Sequence, residues 1–532
     1  MTLTQIAIEN FKGVCDRVEI PLRPITLLFG ANSVGKSTVL QALLYFRDLL
    51  EFENADADRL IASGASIDLG GFRQFVHKHE LSRPVRIEVT FAPDDDGLPL
   101  YPIAGLRASE AEGIALPNPK SISVAVEVSW DSTTGRPWVT EYAVALDGIE
   151  LGAIHAAPNF RPELERINLD HPIFREDSLE EDEQSPLVSG LQSLVDGFEL
   201  RQSRIGGSES PGKNVIPVWG TALPFEVEVP EDSGGDWKNL EQAQSTLSSI
   251  LVGSGEILWK ELRRIRYLGP LRSVPPRSFL ARISPSQERW ADGAAAWDLL
   301  HRSAAGMASS DLVEQVSDAI SDPNGLNLGY RLAGRHFYEV PSAGYVVNTL
   351  TALMRESEDV DVEERLELIL DDLRSQPQRT QLEMIDVRTE TEVAPADIGA
   401  GITQAVPIVV GALESQASIF SVEQPELHTH PAVQCSLGDL FARQVGKASD
   451  RLHLVETHSE HLLLRMLRRI RETASDELPK GAPELTPELL SVLYVSSSSD
   501  GVEITPLPVN EDGDFDQQWP EGFFEERANE LF

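Results

Sequence analysis

The stretch best suited to chemistry is a glycine-rich loop that carries a lysine and two hydroxyl residues at fixed spacing. It reads Gly30-Ala31-Asn32-Ser33-Val34-Gly35-Lys36-Ser37-Thr38. Gly30 and Gly35 allow the backbone to curl so that successive N–H groups point at phosphate oxygens. Lys36 supplies a charge to the β- and γ-phosphates of a nucleotide, and the Ser37 hydroxyl is a ligand for Mg²⁺. The spacing therefore predicts a nucleotide-phosphate site.

The elements predicted around this loop are those that a phosphate loop needs. Residues 25–29 form an apolar strand that runs into the loop, and residues 36–50 form a helix with a broad apolar face. The helix points its positive N-terminus at the same anion. A glycine turn before an ordinary helix is the simpler alternative, and the flanking strand and helix make it the less favoured one.

Polar residues suited to phosphate chemistry follow two later apolar strands. The strand predicted at 418–423 ends in Glu423, where a carboxylate can hold Mg²⁺ directly or through water. The strand predicted at 452–456 leads into Thr457-His458-Ser459. Gln74 follows a paired-glycine turn, and its amide is of a type that can reach the metal or the attacking water. The predicted metal ligands are Ser37, Gln74 and Glu423.

Composition bounds the partners. The chain has 532 residues, a formal net charge of −40 and two cysteines. No apolar stretch is long enough for a membrane helix and no signal peptide is recognisable, so we expect a cytoplasmic protein without a membrane partner. The acidic balance argues against a broad nucleic-acid surface, because phosphate binding depends on cations. Arginine-rich stretches at 260–282 and 465–471 leave local nucleic-acid contacts open, although solvated faces or contacts with acidic segments are the simpler explanation.

The order of the predicted elements indicates an α/β fold in three parts. Residues 1–154 hold the phosphate loop and antiparallel strands at 84–91, 121–130 and 138–146. Residues 155–382 are predicted to be an insertion, largely helical and loop-rich, with a strand near 265–272. In residues 383–532, strands and helices alternate, which favours a mostly parallel sheet covered by helices.

Several motifs taken together resemble one family. They are Asn10-Phe11-Lys12-Gly13, the loop from Gly30, the turn Gly399-Ala400-Gly401-Ile402-Thr403-Gln404, the segment Val422-Glu423-Gln424-Pro425-Glu426-Leu427-His428-Thr429-His430-Pro431, and Thr457-His458-Ser459. They resemble the ABC-type ATPases of the SMC, RecF and OLD (overcoming lysogenization defect) group. The tail from Trp519 to Phe524 is similar to that of the compact prokaryotic members. The resemblance does not cover residues 155–260 or 285–380.

This resemblance implies an ABC-type P-loop ATPase head that binds ATP and Mg²⁺, with a sheet flanked by helices, an antiparallel β subdomain and a mainly helical insertion. The implied ATP-binding residues are Gly30, Asn32, Ser33, Val34, Gly35, Lys36, Ser37 and Thr38. In such heads two copies sandwich two ATP molecules, so a homodimer or a higher even oligomer is implied. Gly399, Gly401, Thr403 and Gln404 of one copy would cap the γ-phosphate bound by the other.

The residues implied to act on the γ-phosphate are Gln424, Glu426 and His458. His458 matches the histidine that senses the γ-phosphate in the family. Gln424 departs from the pattern, since an acid usually stands there and orients or acts as the general base. A neutral amide can orient water but cannot accept a proton. We therefore predict slow hydrolysis and a long-lived ATP-bound dimer, unless Glu426 substitutes.

The biological role implied by the resemblance is that of a sensor or regulatory subunit in antiphage defence, which works with a separate effector such as a nuclease or toxin. One alternative is a DNA-repair or chromosome-associated ATPase that binds DNA through an arginine groove. Another is a nucleotide-dependent scaffold without turnover. The chain after His461 is too short for the toprim domain of OLD nucleases, so we expect no built-in nuclease.

Overall fold

The structure is a computed structural model of the chain. It describes residues 1–52, 55–56, 67–99, 118–156, 162–174, 188, 191–192, 215–216, 222–223, 226–227, 243–277, 279–283, 286–307, 311–340, 342, 344–355, 362–376, 378–445, 451–517 and 519.

The described residues form strands β1–β18 and helices α1–α11. The strands are β1 Thr2–Glu9, β2 Val18–Pro21, β3 Ile25–Phe29, β4 Val85–Ala92, β5 Ile122–Asp131, β6 Arg136–Leu146, β7 Ile149–His155, β8 Glu163–Ile167, β9 Val215–Ile216, β10 Glu226–Val227, β11 Ile265–Leu268, β12 Tyr330–Tyr338, β13 Gln378–Asp386, β14 Thr391–Val393, β15 Ile419–Glu423, β16 Leu452–Glu456, β17 Leu490–Ser497 and β18 Val502–Pro506. The helices are α1 Ser37–Phe52, α2 Phe72–Phe75, α3 Gly253–Leu262, α4 Gln287–Ala291, α5 Ala294–Ala304, α6 Leu312–Ser321, α7 Tyr345–Arg355, α8 Val362–Ser375, α9 Ala400–Leu413, α10 Pro431–Val445 and α11 Glu460–Ala474.

A mixed sheet carries the predicted chemistry. Its strand order is β11-β15-β16-β3-β17-β18, in which neighbours from β11 to β17 pair in parallel and β18 is antiparallel. Every residue of β3, β15 and β16 is buried, as expected for parallel strands with both faces covered. The carboxyl ends of these three strands therefore meet at one edge, and that edge receives Gly30, Gln424 and Thr457.

A second sheet, wholly antiparallel, has the order β2-β1-β4-β5-β6-β7-β8. Along β4 the buried residues alternate with partly exposed ones, which is the pattern of a sheet with one face on the core. The strands predicted at 84–91, 121–130 and 138–146 are confirmed as β4, β5 and β6. Since β7 hydrogen-bonds to β8, this sheet runs past the boundary placed at residue 154. The three-part division remains a prediction.

The region predicted as an insertion, 155–382, contains both helices and strands where it is described. Helices α3–α8 lie in it, but so do β8, β12 and β11, and β11 is the predicted strand near 265–272. β11 pairs in parallel with β15, so it is an edge strand of the mixed sheet. Parts of this region, among them residues 175–187 and 193–214, lie outside the described residues.

Two hydrophobic clusters hold these sheets together. In one, α1 packs on the antiparallel sheet through residues such as Leu43 and Phe46. In the other, α5, α9, α10 and α11 cover the mixed sheet, with Trp297 among the largest fully buried side chains. None of the helices that the structure describes is long and apolar enough to cross a membrane.

The C-terminal aromatic residue Trp519 docks against the strand that enters the phosphate loop. Its ring lies 5.7 Å from that of Phe29, 6.0 Å from Tyr494 and 5.1 Å from Phe515, measured between centroids, in edge-on geometries that favour aromatic pairs. The tail is therefore docked on the mixed sheet at this residue. The other tail aromatics, Phe523, Phe524 and Phe532, lie outside the described residues.

We expect Trp519→Ala to lower the free energy of unfolding by about 1–3 kcal/mol, because a partly buried aromatic cluster loses its central ring. Thermal melting followed by circular dichroism measures the change. Met307→Ala is the control, since Met307 is 72% exposed and its truncation should leave the melting temperature unchanged. Equal melting temperatures for Trp519→Ala and wild type would contradict a stabilising role for the docked ring.

Candidate functional site

The phosphate loop has a backbone shape that two of its positions permit only for glycine. Gly30 has a φ of +152°, and a Cβ there would lie 2.2 Å from the carbonyl oxygen of Val495 on β17. Gly35 has a φ of +104°, and a Cβ would press on the side chain of Val502. Ser33, between them, is also left-handed. The loop is therefore a tight curl between β3 and α1, roofed by the β17–β18 hairpin.

Lys36 lies inside this curl. Its ammonium donates to the carbonyl oxygens of Gly30 at 3.1 Å and Ala31 at 2.7 Å, and the residue is 3% exposed. Burial lowers the pKa of Lys36, and the nearby Glu456 works in the opposite direction. The charge is thus held at the place where such loops receive the β- and γ-phosphates.

Ser37 is joined to a carboxylate that the sequence interpretation did not include. Its hydroxyl donates to Glu456 at 2.6 Å. Glu456 ends β16 and is paired across the sheet with Glu423, the end of β15. Burial, together with the charge of Glu423, raises the pKa of Glu456 to about 7, while the Ser37 hydrogen bond works in the opposite direction. The signal for Glu456 was in the sequence, since 452–456 and 419–423 are both apolar strands that close in glutamate.

Glu423, the predicted acidic metal ligand, is buried beside it. Its Oε1 accepts a hydrogen bond of 2.7 Å from the Tyr267 hydroxyl on β11. Burial raises the pKa of Glu423, while the Tyr267 hydrogen bond and the charge of Lys12 lower it. Lys12 belongs to the Asn10–Gly13 motif, so that motif contributes a cation to the same edge of the sheet.

The donor set here fits Mg²⁺. The Ser37 hydroxyl and the carboxylates of Glu456 and Glu423 are hard oxygen ligands, and the mutual repulsion of the carboxylates would be relieved by a bound cation. Among the described residues no group of three or more His, Cys, Asp or Glu is placed to hold a metal by itself. Mg²⁺ commonly uses one or two carboxylates together with nucleotide phosphates and water.

Gln424 follows β15 in a left-handed conformation, with a φ of +45°. Its N–H donates to the carbonyl oxygen of Glu456 at 2.7 Å. Its own carbonyl oxygen accepts from Arg272 Nη2 at 3.3 Å, and the same nitrogen donates to the carbonyl oxygen of Glu423 at 2.6 Å. The backbone of Gln424 is thereby fixed from two sides, while its side chain is partly exposed.

Glu426 holds the segment after β16. Its two carboxylate oxygens accept 2.7 Å hydrogen bonds from the Thr457 hydroxyl and from the N–H of His458. A carboxylate used in this way orients His458 and is poorly placed to act as a free base. Burial lowers the pKa of His458, and the charge of Lys36 adds to the effect, so the imidazole is neutral at neutral pH. The catalytic roles of Gln424, Glu426 and His458 stay predictions.

The residues predicted to cap ATP in the partner copy differ in their exposure to solvent and in their hydrogen bonds. Gly399 is exposed and Gly401 is partly exposed at the start of α9. Thr403 is fully buried, and its hydroxyl donates to the carbonyl oxygen of Ala400 at 3.2 Å. The Gln404 side chain is directed at Arg272 of its own copy. A cap formed by this segment would therefore use backbone N–H groups, not the Thr403 hydroxyl.

Gln74 is exposed on the short helix α2. That helix is tied to the family motif near the N-terminus, since the Lys12 N–H donates to the carbonyl oxygen of Phe75 at 2.5 Å. In the described part of the chain, no hydrogen bond links Gln74 to Ser37 or Glu423. Its assignment as a metal ligand remains a prediction.

Two family models match parts of the chain. Residues 1–171 match the family described as AAA ATPase domain, and residues 485–532 match a family described as a protein of unknown function, DUF3696. The first match agrees with the predicted phosphate-loop ATPase, and the parallel sheet covered by helices agrees with the predicted α/β fold, while the ABC type stays a prediction. The first match contains the phosphate loop, and the second contains the β17–β18 hairpin that roofs it. No curated protein matches the chain.

Solved structures similar to the chain include heads of SMC proteins. One is an SMC head bound to the C-terminal winged-helix domain of ScpA, with 12% identity over 96% of this chain and 98% of that one and a TM-score of 0.40. Another is the SMC head domain from Thermotoga maritima, with 10% identity over 96% of this chain and 100% of that one and a TM-score of 0.36. Likenesses this distant carry no weight for function.

The raised pKa of Glu456 predicts how stability changes with pH. Because its folded-state pKa of about 7 lies above the ordinary value of 4.5, stability falls as the pH rises through this interval and the buried carboxyl ionises beside Glu423. Glu456→Gln removes this cost, which is about 1.4 kcal/mol per pKa unit. Without Mg²⁺ or nucleotide, we expect the variant to melt a few degrees above wild type near pH 8, and close to wild type near pH 5.

The exposed Glu503 supplies the matched control, since Glu503→Gln removes a carboxylate without any burial. That variant should show no comparable pH dependence relative to wild type. A melting difference for Glu456→Gln that is the same at both pH values would show that the raised pKa is not the cause.

Proposed function

We propose that this chain is an ATP-binding, slowly hydrolysing ATPase head that acts as a nucleotide-dependent dimerisation switch. The observation that carries the proposal is the edge of the mixed sheet, where Lys36, Ser37, Glu423 and His458 converge on one place and an amide, Gln424, takes the position of the usual acid. The residues bind the phosphates and the metal ion, and none of those at the family's catalytic positions is a free base.

Slow turnover is supported by the way the neighbouring carboxylates are used. Both carboxylate oxygens of Glu426 accept hydrogen bonds, one from Thr457 and one from His458. Glu456 accepts from Ser37, the hydroxyl on the metal side of the loop. Gln424 can orient the attacking water but cannot remove its proton. Mg²⁺ bound by Ser37 and the acids would supply charge stabilisation at the γ-phosphate.

Dimerisation is supported by an exposed apolar segment beside α9. Four side chains in residues 271–283 face solvent, namely Leu271 at 81%, Val274 at 39%, Leu280 at 77% and Ile283 at 82% exposure. The segment is tied by an Arg277–Asp397 ion pair to the residues just before Gly399, the predicted cap. A second copy that brings its phosphate loop to Gly399 would also cover these side chains, so we assign the apolar segment to the interface between copies.

The DNA-binding alternative is less favoured by the structure. Arginines of the two basic stretches are engaged by acids within the protein. These pairs are Arg263–Glu51, Arg264–Glu261, Arg266–Glu414, Arg277–Asp397, Arg465–Asp439, Arg468–Glu472 and Arg469–Asp439. Cations neutralised in this way attract phosphate weakly, which agrees with the simpler explanation of contacts to acidic segments.

The cellular part of the proposal is a sensor or regulatory subunit in antiphage defence that signals to a separate effector. Its support is the family resemblance of the motifs, in which stand-alone heads often accompany a nuclease or toxin. An ATP-held dimer suits such a role, since slow hydrolysis keeps the two copies together long enough to engage an effector.

The switch is tested first at Gln424. We expect wild type to dimerise with ATP and to hydrolyse it slowly, and Gln424→Glu to raise kcat by about tenfold or more, because it restores a proton acceptor. Phosphate release and mass in solution are measured in parallel. Lys36→Ala is the control and should lose both ATP binding and dimerisation. Brisk wild-type turnover that Gln424→Glu leaves unchanged would show that another residue carries the chemistry.

The interface is tested at its most exposed apolar residues. We expect Leu280→Asp and Ile283→Asp to abolish ATP-dependent dimerisation while ATP binding by the single copy stays within about twofold of wild type, because a buried unpaired charge is costly. Analytical ultracentrifugation and nucleotide binding give the two readouts. Ile149→Asp is the matched control, as Ile149 is exposed on β7 of the other sheet. Dimers that survive both segment substitutions would exclude this interface.

A further inference from the structure

Arg272 is a buried cation that the phosphate chemistry described so far does not use. It lies shortly after β11 and is 5% exposed. Its sequence neighbours Leu271 and Ser273 are exposed, so the chain turns this one side chain inward. Gly293, just before α5, is in a left-handed conformation and lies against Arg272. A Cβ added to Gly293 would be 3.4 Å from the Cβ of Arg272.

On one side Arg272 holds the end of β15. Its Nη2 bridges the carbonyl oxygens of Glu423 and Gln424, at 2.6 and 3.3 Å. Those are the two residues between which the strand stops and the backbone enters the left-handed region. A guanidinium that binds both carbonyls fixes the peptide plane from which the Gln424 side chain departs.

On the other side Arg272 is held by the first turns of α9. The amide nitrogen of Gln404 donates to the carbonyl oxygen of Arg272 at 2.5 Å, and Gln404 is 8% exposed. A second contact joins the same segments, because a Cβ on Gly401 would lie 2.4 Å from the carbonyl oxygen of His428. The start of α9 and the loop after β15 therefore touch through backbone at Gly401 and through side chains at Gln404 and Arg272.

The remaining donors of Arg272 argue against a purely stabilising role. Its Nε and Nη1 are buried and have no hydrogen-bond partner among the described residues. Glu423 and Glu426 lie close enough to act on its charge, but the hydrogen bonds it makes go to carbonyl oxygens. A buried cation with unmet donors costs free energy that an apolar side chain would not. Such a cation suits a residue that holds the backbone at Gln424.

We propose that Arg272 is a positioning residue that couples the first turns of α9 to Gln424. Contact of the exposed Gly399–Gly401 segment with the nucleotide of the second copy would then set the orientation of Gln424 in the copy to which that segment belongs. The inference rests on the proposed function, since it explains how dimerisation adjusts hydrolysis. It adds a route, through Gln404 and Arg272, from the cap at Gly399–Gly401 to Gln424 in the same copy.

The test separates positioning from binding. Arg272→Met keeps an unbranched side chain of similar size but has no donor for the two carbonyls, and Gln404→Leu cuts the link to α9 while it leaves Arg272 in place. We expect kcat for ATP to fall by about 10- to 100-fold in both variants, while KM and the affinity of the single copy for ATP stay within about twofold. Arg388→Met, at an exposed arginine in the turn after β13, is the control and should keep its kcat.

Two results would overturn the inference. If kcat is unchanged in Gln404→Leu and Arg272→Met, the contact does not position Gln424. If ATP affinity falls in step with kcat, the residues support the nucleotide site as a whole. Failure of the proposed function is distinguishable, because it shows in wild type. A wild-type protein that neither binds ATP nor dimerises with it overturns the switch and the coupling together, whereas normal wild-type behaviour with unaffected variants overturns the coupling alone.

Discussion

The insertion of β16 between β3 and β15 is the constraint on which the site depends. Parallel pairing in this order brings three carboxyl ends to one edge, although their strands lie far apart in the sequence. The register places Glu456 beside Glu423 on one side and beside Leu28 on the other, so the acid reaches the hydroxyl of Ser37. A slip of one residue in β16 would turn Glu456 to the opposite face of the sheet and separate it from Ser37.

The same edge concentrates opposing charges in a place with little water. Glu423, Glu426 and Glu456 act on Lys36, and burial shifts the pKa of Lys36 and of Glu456 towards their neutral forms. Neither shift would occur at the surface of the protein, where solvent screens such charges. The cluster is therefore suited to bind a polyanion together with a divalent cation, because the polyanion neutralises the lysine and the cation neutralises the glutamates.

Much of the sheet could be predicted because apolar strands that lead into polar loops are easy to recognise. β3 and β16 have the predicted bounds, and β15 differs by one residue. β17 and β12 were missed, since no chemical motif marks them. Glu456 shared the pattern of Glu423 but was interpreted only as the end of a strand. The role of Arg272 could not be predicted, because it arises from carbonyl groups that come together only in the folded chain. The arginine-rich stretches contact acidic residues, as the simpler interpretation held, but partners such as Glu51 and Glu414 are distant in sequence and could not be identified from it.

The roof over the phosphate loop has a consequence for biosynthesis. Gly30 fits beneath the carbonyl oxygen of Val495, Gly35 fits beneath Val502, and β3 pairs along its length with β17. The loop thus acquires its final shape only from residues that lie far later in the sequence. During translation β3 waits until β17 has been made, which is a long-range contact of the kind that slows folding. Competence to bind nucleotide would therefore require synthesis through the β17–β18 hairpin, and ribosome-bound fragments without β17 would lack it.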